Sequence, residues 1–146
     1  MNIYEYKTLC LEDILEILQS QKVCQLATMG ENSVNSVPMW YISGLRNNKL
    51  VFYFVCIPSG TKMRNMDETG KVCVSVLDYV RAYCKGNYNS IVVNGNASLV
   101  TDDGLKDCII RNFIKKYGSP ESMGLCFGDE LEYVMVEAYQ VTGRAY

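Results

Sequence analysis

The chain has 146 residues, of which 49% are hydrophobic and 21% are charged, and its formal net charge is −2. This length and composition fit a single domain over residues 1–146 and exclude a mainly disordered chain. Basic and acidic residues are interspersed, so a basic surface for nucleic acid is not expected.

The chain contains seven cysteines and no histidine, which limits the sites that it can build. No two cysteines have the spacing CxxC, and mixed Cys/His zinc sites are excluded. We interpret the cysteines as small buried thiols in a reducing compartment. The N-terminal segment MNIYEYKTLCLEDILEIL lacks the basic start of a signal peptide, and no run approaches the ~20 apolar residues of a membrane span. We therefore expect a cytoplasmic protein without a membrane anchor.

The first part of the chain predicts a helix followed by three strands. Leucine and isoleucine recur at helical spacing over residues 8–20, with Thr8 as the candidate N-cap. Strands are predicted over residues 22–29, 34–42 and 49–55, and the short turns between them favour an antiparallel meander. Because Pro38 cannot donate a backbone hydrogen bond, the second strand is expected at a sheet edge or at a bulge.

The segment of residues 50–76, LVFYFVCIPSGTKMRNMDETGKVCVSV, contains the strongest local signal for a binding site. An apolar strand ends in a Pro-Ser-Gly turn, and Thr61 and Lys62 then open a short helix. Backbone N–H groups at a helix start, with a hydroxyl and an ammonium beside them, can bind an anion. The alternative is that Lys62 is an ordinary solvated lysine in a turn.

Two further strands are predicted in the second half of the chain. Residues 71–79 form the fourth strand, and residues 81–89 are interpreted as a loop or an irregular hairpin. Residues 90–100 form the fifth strand, in which Gly95 predicts a bulge or the close approach of another backbone.

A helix and a last strand complete the chain. Either Asp102 or Thr101 caps a helix that runs through Tyr117, and Gly118 ends it. After a loop over residues 119–130, residues 131–142 form a strand that is apolar on both faces, which predicts a central position in a barrel or a subunit contact. Six strands in mainly antiparallel order, with a few helices, predict a mainly β fold built as a small closed or partly open barrel.

No classical catalytic set is present. Without histidine there is no Ser-His-Asp or Cys-His pair, so a reaction carried by a bound cofactor is favoured over protein acid–base chemistry. Ser90, which opens the fifth strand, is a weaker candidate for ligand contact. Trp40 and Tyr41 could be core residues or the wall of a pocket for a flat ring, and the sequence leaves both readings open.

The order of the segments resembles a known family. VCQLATM, SVPMWY, LVFYFVCIPSGTKM, KVCVSV and SIVVNGNASLV follow one another as in the FMN-binding split β-barrel proteins, over residues 14–142. The chain is most similar to the branch of nitroimidazole-resistance proteins and more distantly similar to pyridoxamine 5′-phosphate oxidase. This resemblance implies a six-stranded antiparallel split β-barrel of Greek-key type and a homodimer that holds FMN between its subunits.

The resemblance also implies which residues contact the cofactor. The phosphate would lie at the turn after the third strand, and the backbone around the second strand would border the isoalloxazine ring. The end of the third strand would lie along the flavin, and the start of the fifth strand would add a further contact. The implied cofactor-binding residues are Val37, Pro38, Met39, Trp40, Tyr53, Phe54, Val55, Thr61, Lys62, Ser90 and Ile91.

The sequence departs from the family pattern at two positions. Val55 stands where nitroimidazole-resistance proteins carry histidine, so an activity that depends on this imidazole is not carried over. Thr61 stands where the oxidase has arginine, and the loss of one charge-assisted bond, roughly 1.5–3 kcal/mol, would weaken FMN retention. The basic residues that bind substrate in the oxidase have no clear counterparts, so oxidation of pyridoxamine phosphate is not expected.

Three functions remain open on the sequence alone. The favoured one is an oxidoreductase that passes electrons from NAD(P)H through FMN to a small acceptor such as a nitroaromatic. The second is a non-catalytic module that holds FMN or another phosphorylated or tetrapyrrole ligand. The third is a structural dimer whose groove holds no ligand.

Overall fold

The structure is a computed structural model that describes residues 6–79, 88–118 and 130–146. The loops predicted over residues 81–89 and 119–130 therefore lie almost entirely outside the described residues. The described elements in chain order are β1 (Lys7–Thr8), α1 (Leu11–Ser20), β2 (Val23–Met29), β3 (Val34–Trp40), β4 (Ile42–Arg46), β5 (Lys49–Cys56), α2 (Thr61–Thr69), β6 (Lys71–Asp78), β7 (Asn89–Leu99), α3 (Asp103–Tyr117) and β8 (Glu132–Ala145).

The strands form one antiparallel sheet that curls into a barrel. Its strand order is β3-β2-β6-β7-β8-β5-β4, and β1 pairs with β8 outside this path. β3 and β4 lie at opposite ends of the order, yet Tyr41 alone joins them in the chain. The two edges of the sheet must therefore meet at Tyr41, which gives a split barrel. The predicted mainly β, antiparallel barrel fold is confirmed.

The described residues form eight strands, and the two that were not among the six predicted are β1 and β4. The second predicted strand stops at Trp40, and residues 42–46, partly predicted as a turn, form β4. The turn itself contains only Asn47 and Asn48, whose φ values of 52° and 63° are those of a two-residue hairpin turn. The prediction of Thr8 as a helix cap is wrong, because Thr8 pairs with Arg144 in β1 and α1 begins three residues later with Cys10 as its N-cap.

Three positional predictions for the strands are confirmed. β3, which contains Pro38, is an edge strand whose single partner among the described strands is β2. β8 is central, with β7 and β5 on its two sides. The register of β7 against β8 shifts at Gly95, and a Cβ at this position would lie only 2.7 Å from the carbonyl oxygen of Glu137. Gly95 therefore marks both a bulge and a close backbone approach.

Alternating residues of β5 supply two hydrophobic cores. Phe52 and Phe54 are fully buried inside the barrel, whereas Tyr53 and Val55 face outward and pack against α3. Burial of each large apolar side chain contributes about 1.5–3 kcal/mol. The outward cluster fixes α3 across the outer face of β4, β5 and β8. Among the described residues, no helix has both the length and the apolar character needed to cross a membrane.

Candidate functional site

The turn between β5 and α2 creates an open helix start. α2 begins at Thr61, as predicted, and Gly60 is its N-cap, without a side chain that could bond to the first N–H groups. Gly60 has φ 106° and ψ 175°, a backbone conformation that is almost exclusive to glycine. The first turn of α2 therefore presents N–H groups that no capping side chain occupies, together with the positive end of the helix dipole.

A buried amide fixes the direction in which this helix start points. Asn65, one turn into α2, is completely buried. Its Nδ2 donates to the carbonyl and hydroxyl oxygens of Thr28 at 3.3 and 3.2 Å, and its Oδ1 accepts from the Ser33 hydroxyl at 2.7 Å. Because these bonds join α2 to both β2 and the β2–β3 turn, the helix cannot rotate without breaking buried hydrogen bonds.

The helix start borders a cleft with a volume of about 830 Å³. This volume lies in the range of about 300–1,000 Å³ that is typical of small-molecule sites. The walls come from the β5–α2 turn, α2, the end of β7 and the start of β8. The lining residues are Pro58, Ser59, Gly60, Thr61, Met63, Arg64, Met66, Asp67, Ala97, Ser98, Leu99, Glu132 and Val134.

Glu132 lines the cleft, whereas Lys62 lies in the chain between the lining residues Thr61 and Met63 without lining the cleft itself. Burial raises the pKa of the Cys56 thiol, the nearby Lys62 ammonium lowers it, and the Glu132 carboxylate raises it. Lys62 and Glu132 therefore both lie close to the same sulfur atom, and Glu132 pairs with Cys56 across β5 and β8. Within residues 6–79, 88–118 and 130–146, no ion pair engages Lys62. Its charge is thus available to a ligand at the helix start.

The four implied contacts on β3 divide between the two faces of the strand. Met39 is half-buried against the barrel core, and Val37 lies on the same face of the strand. Pro38 and Trp40 are exposed, and the Trp40 ring stacks on Tyr117 with 4.8 Å between ring centroids and 4° between planes. The open question about the Trp-Tyr pair is therefore answered, because Tyr41 is core and Trp40 is at the surface.

The side chains of two of the implied residues, Phe54 and Ile91, do not reach the surface of the barrel. Phe54 and Ile91 are fully buried in the barrel core, because each lies on the inward face of a strand with a two-residue period. A ligand outside the barrel could reach them only through their backbone. The neighbouring side chains of Tyr53 and Val55 pack on the α3 cluster, so α3 covers part of their surface.

The implied residues do not converge on one place in a single chain. Thr61 lines the cleft together with residues 97–99 at one end of β7, whereas Ser90 lies near the opposite end of the same strand. At about 3.3 Å per residue, these two ends of β7 are roughly 25 Å apart. β3 also runs from one end of the barrel to the other. Its Val34 end lies near α2, where Ser33 bonds to Asn65, whereas its Trp40 end lies against Tyr117 of α3.

Sequence reasoning missed a cation at the far end of the barrel. Arg144 pairs with Ser90 across β7 and β8, and its guanidinium lies 4.3 Å from the ring centroid of Tyr6. Its Nε is buried and has no hydrogen-bond partner among the described residues. The predicted last strand ended at residue 142, two residues short of Arg144, so the register that places this side chain beside Ser90 could not be seen.

Sequence reasoning also missed a buried lysine at the end of α3. Lys116 Nζ donates to the carbonyl oxygens of Leu18 at 3.1 Å and Tyr41 at 3.2 Å, and burial lowers its pKa to about 8. Tyr117, whose pKa burial raises to about 12, accepts a hydrogen bond from the Tyr41 N–H at 2.9 Å. In the sequence this lysine looks like the ordinary basic last turn of a helix, so it gave no separate signal.

Comparison with known protein families gives one match. The family model described as pyridoxamine 5′-phosphate oxidase matches residues 11–129, which is most of the chain. A search of curated proteins finds no match.

Solved structures match over nearly the whole chain at low sequence identity. An FAD-binding protein from Mesorhizobium loti is 19% identical with a TM-score of 0.75, and the match covers 97% of this chain and 96% of that one. HutZ, a heme storage protein from Vibrio cholerae, is 16% identical with a TM-score of 0.73 over 92% and 94% of the two chains.

A structure described as a 5-nitroimidazole antibiotic resistance protein from Bacteroides thetaiotaomicron also matches. It is 19% identical with a TM-score of 0.68, and the match covers 97% of this chain and 89% of that one. The TM-scores show a shared fold, and the family resemblance predicted from the order of segments is confirmed. On the match of the family model over residues 11–129, the chain belongs to the pyridoxamine 5′-phosphate oxidase family.

Proposed function

We propose that this protein is a flavoprotein that binds FMN and passes electrons from NAD(P)H through FMN to a small acceptor such as a nitroaromatic. The observation that carries the proposal is the open helix start at Gly60–Lys62 beside the 830 Å³ cleft. Membership of the pyridoxamine 5′-phosphate oxidase family and the likeness to a flavin-binding structure support a flavin as the ligand.

The helix start suits the phosphate of a mononucleotide. The free N–H groups of the first turn, the Thr61 hydroxyl and the Lys62 ammonium can all donate to phosphate oxygens. Asp67 and Glu132 also line the cleft, and their carboxylates accept hydrogen bonds but repel further negative charge. The cleft therefore fits a ligand with one anionic end and a chain of hydroxyl groups, which are the features of the FMN tail.

A homodimer would complete the site. In one chain the phosphate-binding turn and the group around Trp40 and Ser90 lie at opposite ends of the barrel, so one copy cannot hold both ends of a flavin. The surface beside that second group is apolar, since Val23 and Leu77 are 49% and 47% exposed and pair with Trp40 and Ser90. Exposed apolar surface of this kind is typical of protein interfaces, and we infer that the second copy covers it.

When bound, the flavin supplies hydride and electron transfer, which the side chains of this protein do not offer. The residues described here hold and orient it. Thr61 and Lys62 fix the phosphate, the Asn65 bonds fix α2, and Met63, Met66 and Val134 give the cleft an apolar floor. Val55, packed on the α3 cluster, gives no group that could move a proton at the flavin.

The proposal is tested by loading the purified protein with FMN and adding NADH or NADPH without air. We expect FMN to bind at one per chain, its visible absorption to bleach with one of the two nucleotides, and the colour to return with a nitroaromatic acceptor. Bound flavin that no reductant bleaches would contradict the enzymatic part and support the non-catalytic module, for which Val55 in place of histidine is the favouring observation. A protein that does not bind FMN would contradict both.

A further inference from the structure

A second cavity lies between α1, α3 and β4. Its volume is about 430 Å³, and none of the described residues that line it carries a carboxylate. One wall is apolar. The other carries one amide from α1, one amide from α3 and two lysines from the last turn of α3. The lining residues are Gln19, Ile42, Ser43, Gly44, Leu45, Val51, Tyr53, Asn112, Lys115 and Lys116. The lining thus combines a positive charge with an apolar surface.

The charge of Lys116 is not balanced within the described part of the chain. Its ammonium group donates to two neutral carbonyl oxygens and lies 3.9 Å from the Tyr41 ring centroid, but it has no ion pair there. Carbonyl groups and a ring compensate a partly buried cation less well than a carboxylate does. The other titratable groups that face it are Lys22, Cys24, Tyr41 and Tyr117.

We propose that this cavity is a second ligand site, which takes a small organic carboxylate with an apolar body. The carboxylate pairs with Lys115 and Lys116, and Gln19 can donate to it from α1. The apolar body packs on Ile42, Leu45 and Tyr53. A single carboxylate is favoured over phosphate because the apolar wall would leave most phosphate oxygens without a donor. The site does not depend on flavin binding at the α2 cleft.

A bound anion would raise the pKa of Lys116, which burial lowers. Without a ligand, desolvation lowers the pKa of Lys116 to about 8, so the fraction that carries charge falls as the pH rises above neutrality. A carboxylate beside the ammonium favours its charged form. Binding should therefore be strongest below pH 7 and weaken between pH 7 and pH 9, well before an ordinary lysine loses its proton.

The test is a calorimetric titration of the whole protein with benzoate, and with benzamide as the neutral analogue of the same shape. We expect benzoate to bind at least about tenfold more tightly than benzamide, and Lys116→Met to remove most of this difference. Lys106→Met, on the same helix but outside the cavity lining, should leave it unchanged. Equal binding of the two probes, or binding of neither, would overturn the proposal.

A second variant keeps the test valid if Lys116→Met fails to fold. Leu45 is 49% exposed, so Leu45→Trp can fill the cavity without disturbing the core. This variant should lose benzoate binding while its thermal unfolding stays close to that of the wild type. Unchanged benzoate binding in Leu45→Trp would place the probe elsewhere, and inorganic phosphate that binds more tightly than benzoate would overturn the carboxylate assignment.

Discussion

Lys62 lies in the uncapped first turn of α2, at the positive end of the helix dipole and next to the cleft-lining residues Thr61 and Met63. We propose that its ammonium binds the ligand phosphate. We expect Lys62→Ala to weaken FMN binding by roughly tenfold or more, because one charge-assisted bond is lost. The stability of the protein should change by less than about 1 kcal/mol, since no ion pair to Lys62 is lost. Quenching of FMN fluorescence measures the affinity, and urea unfolding measures the stability.

The matched control for this variant is Lys71→Ala. Lys71 is an exposed lysine that opens β6, just beyond the C-terminal end of α2. The variant therefore removes the same charge about one helix length, roughly 13 Å, away from Lys62. It should leave FMN affinity nearly unchanged. If both variants weaken binding equally, the effect comes from net charge and Lys62 has no specific contact with the phosphate.

Gly60 is the second residue on which the turn depends. A Cβ at Gly60 would meet no atom within 4 Å, so Gly60→Ala tests backbone conformation alone. We expect a loss of about 1–3 kcal/mol of stability, because φ 106° and ψ 175° strain any residue with a side chain. Gly44→Ala is the control, since Gly44 has equal space and no positive φ, and it should change stability by less than about 0.5 kcal/mol. Equal effects in the two variants, measured by thermal unfolding, would disprove the strain at Gly60.

Residue-scale prediction from the sequence worked where one local pattern decides the outcome. The helix start at Thr61 follows from a glycine turn, and the Gly95 bulge follows from a glycine inside a strand. The sequence did not show that Phe54 and Ile91 are core residues, because which face of a strand turns inward is decided by the whole sheet. Lys116 could not be recognised, because its burial comes from residues 18 and 41, which are distant in the sequence.

At the scale of elements, the residue at which α3 begins is determined by the side chain of its N-cap. Asp102 Oδ2 accepts a hydrogen bond from the Leu105 N–H at 2.7 Å, which chooses Asp102 over Thr101 as the cap. We expect Asp102→Ala to cost about 0.5–2 kcal/mol of stability, measured by urea unfolding. Thr101→Ala should cost clearly less. A larger effect for Thr101 would mean that the helix starts one residue earlier than described.

The sequence did not predict β1 and β4, which are strands only because they pair with neighbouring strands and not because of an apolar pattern of their own. β1 contains two residues and exists because the chain before α1 lies along β8. β4 follows β3 after one residue, and only closure of the sheet separates the two strands. Apolar periodicity finds strands that bury one face, but it cannot show where a continuous strand changes neighbours. The long helices and the central strands, which have strong periodicity, were predicted correctly.

At the scale of the whole molecule, Lys116 joins α3 to α1 and to the point where the sheet edges meet. Its pKa is lowered from the ordinary 10.5 to about 8 by burial. Between these values the unfolded chain binds more protons than the folded one, so the contribution of this group to stability rises with pH. We expect the wild type to gain stability relative to Lys116→Met as the pH rises from about 8 towards 10.5, measured by urea unfolding. Parallel pH profiles of the two proteins would show that Lys116 keeps an ordinary pKa in the folded state.

The implied flavin contacts are spread over the whole length of the barrel. Sequence resemblance gave the set of residues, but it could not show that one chain separates them by the length of a strand. Thr61 and Lys62 lie at one end of the barrel, whereas Ser90 and Trp40 lie toward the other. The proposal of a site shared by two copies rests on this separation.

The most direct test of the proposed site is a crystal structure of the protein loaded with FMN. We expect the phosphate within hydrogen-bond distance of the Thr61 and Lys62 backbone N–H groups and of the Lys62 ammonium, with the ring system against a second copy of the chain. A phosphate bound at the far end of the barrel beside Arg144, with the α2 turn empty, would contradict the account.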